Sequence, residues 1–166
     1  MRKRTPFEAF SQGACKSGIS VAAFLLRLIM GAMFFYAGWS KIISGEWSAA
    51  GYLEYATGPF ATWFQSMAGS PVVDFLNMWG LLLIGAALIL GLFVRTASFF
   101  GIILMVLYYL SGFESNTAHG LIEEHVVYSF VLLLFITGGF GHIWGLDGII
   151  ERHISNKKSW LKAFFG

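Results

Sequence analysis

Four residues with proton-exchanging side chains stand where apolar stretches of this sequence begin or end. Lys41 closes the first long apolar stretch, and the run Glu123-Glu124-His125 opens the last one. An ammonium or an imidazole can donate a hydrogen bond to a carbonyl or an anion, and a carboxylate can take up a proton. We predict catalytic roles for these four residues. We also predict that Lys41, His125 and Trp39 bind a cofactor.

The two ends that carry these residues are expected to meet. Pairing of Lys41 with Glu123 or Glu124 would satisfy both charges and leave a polar pocket beside His125. The same ion pair would also fix how two apolar helices pack, without binding anything. Neighbouring residues on a helix point about 100° apart, so the sequence leaves open which glutamate faces Lys41.

A second cation lies on the same helix face as Lys41. Spacings of three and four residues place five side chains on this face, namely Arg27, Gly31, Phe34, Gly38 and Lys41. The separation of the two cations is about 21 Å, inside a hydrocarbon core of about 30 Å. We expect Arg27 to reach lipid phosphates with its long side chain. If it faces inward instead, Asp147 is the candidate partner.

The sequence predicts no metal and no covalently bound cofactor. The single Cys15 excludes a cysteine-held iron–sulfur cluster or a c-type haem site within this chain. His125 and His142 would lie about 26 Å apart on one helix, too far to share a metal or a haem. A metal held by His119 and the two glutamates, or a haem on His125 with a ligand from another chain, is an alternative that stays open.

Composition and hydropathy predict the elements that carry these residues. The chain has 166 residues, 57% of them hydrophobic and 12% charged, which is typical of an integral membrane protein. We predict an all-α fold, a four-helix membrane bundle with short interfacial helices in a single domain, 1–166. Its parts are transmembrane spans at 19–43, 72–93, 97–111 and 121–143, an interfacial helix at 5–18, an aromatic-rich outer interfacial segment at 46–70, a turn at Arg95-Thr96 and a basic tail at 151–166.

The basic residues set the expected orientation. With four spans, the lysines and arginines outside the spans fall on one side, while the opposite loops carry carboxylates. This asymmetry predicts a multi-pass protein of the inner (cytoplasmic) membrane with both termini cytoplasmic. The expected partners are the lipid bilayer and other membrane-protein subunits. The net charge of +2 gives no indication of nucleic-acid binding.

Three parts of the chain share a pattern with a known family of membrane proteins. They are Leu26-Arg27 through Phe34, Tyr36-Ala37-Gly38 and Lys41-Ile42 in the first span, the loop from Gly91 to Arg95, and His142-Ile143-Trp144-Gly145-Leu146-Asp147 after the fourth span. Over most of residues 20–150 the chain resembles the DoxX family, which includes the DoxD-like small subunit of thiosulfate:quinone oxidoreductase. The resemblance implies a four-helix membrane bundle, a role in quinone-dependent electron transfer and a quinone as the cofactor.

Two functions agree with these observations. The first is a membrane subunit of a quinone-linked oxidoreductase of DoxX type, whose pocket binds a quinone head group or a small sulfur oxyanion. The second is a non-catalytic accessory subunit of a larger respiratory or photosynthetic membrane complex, in which the charged residues only fix packing. A transporter is disfavoured because the predicted spans are short and unbroken. The sequence leaves open whether the chain itself catalyses a reaction.

Overall fold

The computed structural model describes residues 6–113 and 121–153, with side chains described at 18–113 and 121–151. Seven α-helices occur in this part of the chain: α1 (Pro6–Ser44), α2 (Ala50–Leu53), α3 (Ala61–Gln65), α4 (Pro71–Leu90), α5 (Val94–Ser111), α6 (Glu124–Gly138) and α7 (Leu146–His153). The described residues form no β-strand. The predicted all-α fold is confirmed.

Three of these helices are long and apolar enough to cross a membrane. They are α1 over Gly18–Ser44, α4 and α5. Helix α6 is also apolar but has only 15 residues, because Gly139 adopts a left-handed conformation (φ 64°) and ends it. A 3-10 turn, Phe140–His142, follows. The fourth predicted span, 121–143, is therefore several residues longer than α6. The three long apolar helices make this chain a helical membrane protein embedded in lipid.

The structure corrects two other predicted boundaries. Helix α1 runs without a break over Pro6–Ser44, so the described residues include no separate interfacial helix before the first span. The turn between α4 and α5 lies at Gly91–Phe93 and not at Arg95-Thr96, because Gly91 (φ 64°) ends α4 and Phe93 (φ 52°) precedes the first turn of α5. Both residues adopt the left-handed conformation that a reversal this short requires.

Helices α1 and α4 pack with their backbones in contact. A Cβ atom added at Gly38 or at Gly85 would overlap the backbone of the opposite helix, and one at Gly31 would lie 2.9 Å from the backbone nitrogen of Ile89. By contrast, Gly80 has open space around its Cα. Small residues at a helix contact are the usual way to bring membrane helices together. Helix α5 packs against both α4 and α6, and the side chains between the four helices form the main apolar core.

The segment at 45–70 folds back over one end of the bundle. It contains α2 and α3 and has its own small apolar core, formed by Ala49, Leu53, Ala56 and Phe64. The Ala49 amide donates to Asp74 Oδ1 at 2.7 Å, and the Thr57 amide donates to the Ser111 carbonyl at 3.0 Å. These bonds tie the segment to α4 and α5. We call this end of the bundle the Lys41 end and the opposite one the Arg27 end.

Candidate ligand cavity

A cavity of about 630 Å³ lies at the Lys41 end of the bundle. This volume is in the range of small-molecule binding sites. The wall is mostly aromatic and aliphatic, and seven lining residues have polar side-chain atoms other than an indole nitrogen: Lys41, Tyr52, Asn77, Tyr108, Ser111, Glu124 and His125. Trp63 and Leu76 line the cavity and are also more than half exposed, so the cavity reaches the surface of the protein.

Lys41 enters this cavity between two aromatic rings. Its Nζ lies 4.8 Å from the centroid of the Trp47 ring and 5.9 Å from that of Tyr108. Both distances are within the range of a cation–π interaction. No carboxylate of the described residues lies within 4 Å of the ammonium group. The predicted ion pair of Lys41 with Glu123 or Glu124 is therefore wrong, because the 45–70 segment places an indole against the ammonium group instead.

The two glutamates have separate positions. Glu123 precedes α6 and its Oε1 lies 2.5 Å from His125 Nδ1. Because a carboxylate only accepts, the bond assigns the proton to Nδ1 and leaves Nε2 as the acceptor of a neutral ring. Glu124 lines the cavity together with His125. The structure thus brings Lys41, Glu124 and His125 to one cavity, with Glu123 fixing the histidine.

Trp39 lies away from the cavity. Its side chain is 48% exposed and stacks on Phe35, with ring centroids 6.3 Å apart. It is two residues before Lys41, which turns it about 200° around the helix. The predicted role of Trp39 in cofactor binding has no support from this position.

Four polar residues of the cavity wall were not among the predicted site residues, namely Tyr52, Asn77, Tyr108 and Ser111. Asn77 on α4 is 9% exposed, and its Oδ1 has no hydrogen-bond partner in the described part of the chain. The buried hydroxyl of Tyr108 on α5 also has no hydrogen-bond partner among the described residues. The two side chains are neighbours, but their contact falls short of hydrogen-bond geometry. An amide within an apolar span was a signal for Asn77. A tyrosine near a span end gives no such signal, since aromatic residues are common there.

At the Arg27 end, the other cation is entirely enclosed by protein. Arg27 is 0% exposed, and its guanidinium donates to three carbonyls that follow α6, those of Phe140 (2.5 Å), Ile143 (2.9 Å) and Trp144 (3.4 Å). Arg27 Nε has no partner among the described residues. The expected contact with lipid phosphates is wrong, because this side chain faces the carbonyls at the end of α6.

Asp147 completes this second cluster. Its carboxylate accepts from the Phe93 amide at 2.6 Å and the Val94 amide at 3.0 Å, while its own amide donates to the Gly91 carbonyl at 2.8 Å. The carboxylate caps the start of α5, where the helix dipole favours a negative charge. It also interacts electrostatically with Arg27. Arg27 therefore faces inward, and its hydrogen-bond partners are backbone carbonyls.

The remaining histidines give no metal site in the described residues. His142 Nε2 binds Glu151 Oε2 at the Arg27 end. No group of three His, Cys, Asp or Glu side chains that could hold a metal occurs in the part of the chain that the structure covers. His119, and with it the alternative metal site, lies outside that part, as does the basic tail from residue 154 onward.

A comparison with models of protein families identifies a related family. The family model described as DoxX matches residues 22–113, which is more than half of the chain. The matched range includes Lys41, Asn77 and Tyr108 but ends before α6, so Glu124 and His125 lie outside it. No match was found among curated proteins or among solved structures.

Proposed function

Because this chain belongs to the DoxX family of membrane proteins, we propose that it is a membrane subunit of a quinone-linked oxidoreductase. The cavity at the Lys41 end is proposed to receive the quinone head group. The observation that carries this proposal is the combination of an aromatic and aliphatic wall with a half-buried ammonium group that has no carboxylate partner among the described residues. A flat ring with polar oxygens fits such a lining.

The same lining favours a quinone over a small sulfur oxyanion. An oxyanion would have to leave water for a wall that is mostly apolar, and the Glu124 carboxylate in that wall would repel it. A quinone ring keeps its apolar faces against the aromatic side chains and needs only one or two donors for its carbonyls. Lys41 can supply a charge-assisted hydrogen bond to one of these oxygens.

His125 and the two glutamates are proposed to exchange protons with the bound ring. The Glu123 carboxylate orients the imidazole through Nδ1, so that Nε2 can accept a proton from a ring hydroxyl. Glu124 lines the cavity and is exposed, which suits transfer of that proton to water. The proposal includes a partner subunit that exchanges electrons with the bound ring.

The test uses the purified full chain in lipid nanodiscs. Decylubiquinone is added and binding is followed by quenching of tryptophan fluorescence and by equilibrium dialysis. We expect saturable binding that weakens about tenfold in Lys41→Gln, since one charge-assisted hydrogen bond is lost. Trp39→Phe is the matched control, because it changes an aromatic residue of the same helix outside the cavity.

The competing functions predict different results. Displacement of decylubiquinone by thiosulfate at low concentration would assign the cavity to a sulfur oxyanion. If the wild-type chain binds neither compound, and Lys41→Gln lowers only the thermal midpoint of unfolding, the chain is a structural accessory subunit. Saturable quinone binding that Lys41→Gln leaves unchanged would contradict the proposed role of Lys41.

We also propose that the Lys41 end faces outward in the inner membrane, with both termini cytoplasmic. Glu46 is exposed at the Lys41 end and Leu146 is exposed at the Arg27 end. In a Cys15→Ala background, Glu46→Cys should react with a membrane-impermeant maleimide in intact cells. Leu146→Cys should react only after permeabilisation. The opposite labelling pattern would reverse the proposed orientation.

A further inference from the structure

We propose that Asn77 and Tyr108 together bind a hydroxyl group of the ring in the cavity. The site then holds the hydroxylated form, the quinol, more tightly than the carbonyl form, the quinone. This inference rests on the proposed function, because it concerns the same cavity. It assigns a binding role to two residues and a preferred state to the ligand.

Asn77 offers an acceptor in the cavity wall that no described residue uses. The side chain projects from α4, is 91% buried by the protein and lines the cavity. Its Oδ1 has no partner within hydrogen-bond distance in the described residues. Buried polar atoms are nearly always satisfied, and an unsatisfied acceptor costs free energy that a suitable ligand would recover.

Tyr108 lies close to three other polar residues of the cavity wall, His125, Lys41 and Asn77. Its ring lies 5.5 Å from that of His125 and 5.9 Å from Lys41 Nζ, and its side chain neighbours that of Asn77. The phenol oxygen is buried and has no partner among the described residues. A hydroxyl group both donates and accepts, so this oxygen can complete a pair of hydrogen bonds with a ligand.

The chemistry of the two groups selects a ligand hydroxyl. The amide oxygen of Asn77 can only accept, and a quinone carbonyl can only accept, so the two cannot bond to each other. A ring hydroxyl can donate to Asn77 and accept from Tyr108 at the same time. The reduced ring therefore satisfies both buried groups, whereas the oxidised ring leaves the amide oxygen without a donor.

The walls beside this pair suit an aromatic ring. Trp47, Trp63 and Phe64 line the same cavity and offer flat apolar surface. Aromatic pairs prefer offset or edge-on contacts, which indole and phenyl groups on several sides can provide. The ligand class is therefore a substituted aromatic ring with at least one hydroxyl group.

The experiment compares the two oxidation states of one probe. Decylubiquinone and decylubiquinol are titrated anaerobically into the full chain in nanodiscs, and dissociation constants are obtained by equilibrium dialysis. We expect the wild-type chain to bind the quinol about tenfold more tightly than the quinone. Tyr108→Phe should reduce this ratio to about threefold, and Asn77→Leu should abolish it while leaving quinone binding nearly unchanged.

Tyr109→Phe is the matched control for the phenol. This neighbouring hydroxyl donates to the Leu121 carbonyl at 3.1 Å and is not part of the cavity wall, so its loss should leave the ratio at the wild-type value. Thermal unfolding of each variant separates a change in binding from a loss of fold. If Asn77→Leu does not fold, Tyr108→Phe tests the same hydroxyl independently.

Three outcomes would overturn the inference. Equal affinity for both forms in the wild-type chain would overturn it and leave the proposed function standing. Tighter binding of the quinone would also overturn it and leave the proposed function standing, because the cavity would then favour a carbonyl that accepts from Lys41 or from the Asn77 NH₂ group. Absence of binding by both forms would overturn the proposed function together with the inference.

Discussion

Two cations on one face of α1 have opposite surroundings. Arg27 is fully buried, and its guanidinium is bound by three backbone carbonyls near the Asp147 carboxylate. Lys41 lines a cavity of about 630 Å³, and its ammonium group lies over two aromatic rings at cation–π distances. The fold itself supplies the hydrogen-bond acceptors for Arg27. The ammonium group of Lys41 faces a cavity, where a ligand can supply the acceptor.

The difference follows from the chemistry of the two side chains and from the backbone around them. A guanidinium presents five N–H donors in a plane, which matches a set of carbonyls at a helix end. Glycines at positions 91 and 145 leave room for that plane, since a Cβ on either would lie 2.9 Å from guanidinium atoms. The compact ammonium of Lys41 instead rests on ring faces, which leaves its hydrogen-bond donors for other groups.

The largest expected effect is that of Arg27→Met. The substitution leaves three buried carbonyls without their donor and removes a positive charge near the Asp147 carboxylate, which should lower the free energy of unfolding by about 4 kcal/mol. The measurement is an equilibrium unfolding titration with sodium dodecyl sulfate in mixed micelles. Arg27→Lys should recover only part of the loss, because one ammonium cannot reach all three carbonyls in the geometry of a guanidinium.

Arg95 gives the matched control at the same end of the bundle. Its Nε donates to one carbonyl, that of Ile136 at 3.3 Å, and its side chain is partly exposed. Arg95→Met should therefore cost only about 1 kcal/mol. Equal losses for the two arginines would show that the Arg27 cluster has no special part in stability.

The next largest effect concerns the space beside the guanidinium. Gly91 has φ 64°, and a Cβ added there would lie 2.5 Å from Gly145 Cα. Gly91→Ala should therefore destabilise the protein by about 3 kcal/mol through strain and displacement of Arg27. Gly80→Ala, inside the helix that Gly91 ends and with open space around it, should be neutral or stabilising by up to about 1 kcal/mol. Comparable losses at both positions would contradict the close packing at Gly91.

The helices of this protein could be predicted from its sequence more fully than the partners of their side chains. Hydropathy alone located the spans of α1, α4 and α5, because a long, nearly uncharged apolar stretch is typical of a transmembrane helix. It also brought Lys41, Glu124 and His125 to one end of the bundle. It could not tell that Trp47 would cover Lys41, because that contact depends on how the 45–70 segment folds back.

The position of Arg27 shows the same limit more sharply. Helical spacing placed it on one face with Gly31 and Gly38, and those glycines do pack against α4. The carbonyls that bind it come from the turn after α6, whose path depends on left-handed conformations at Gly139 and Trp144. Helical periodicity in a sequence does not predict the path of such a turn. Lipid phosphates were therefore the predicted partners of Arg27.

Lys41→Met should separate the two cations by its effects on stability and on binding. The ammonium has no ion pair with a described carboxylate, so an apolar side chain of similar length should change the free energy of unfolding by less than about 1 kcal/mol. Binding of decylubiquinone should still weaken about tenfold. A stability loss as large as that of Arg27→Met would mean that both cations are structural.

The smallest expected effect tests the aromatic contact itself. Trp47 lies 4.8 Å from Lys41 Nζ, and a cation–π interaction at this distance contributes about 0.5 to 1 kcal/mol. Trp47→Leu should weaken decylubiquinone binding twofold to fivefold, because the ammonium is less well oriented and part of the flat wall is lost. Equilibrium dialysis is the measurement, since the substitution changes the fluorescence. Trp39→Leu, on the exposed face of α1, should leave the dissociation constant unchanged. If the two variants weaken binding equally, the effect comes from the membrane environment of the tryptophans, and the contrast between the Lys41 end and the lipid-facing surface would not hold.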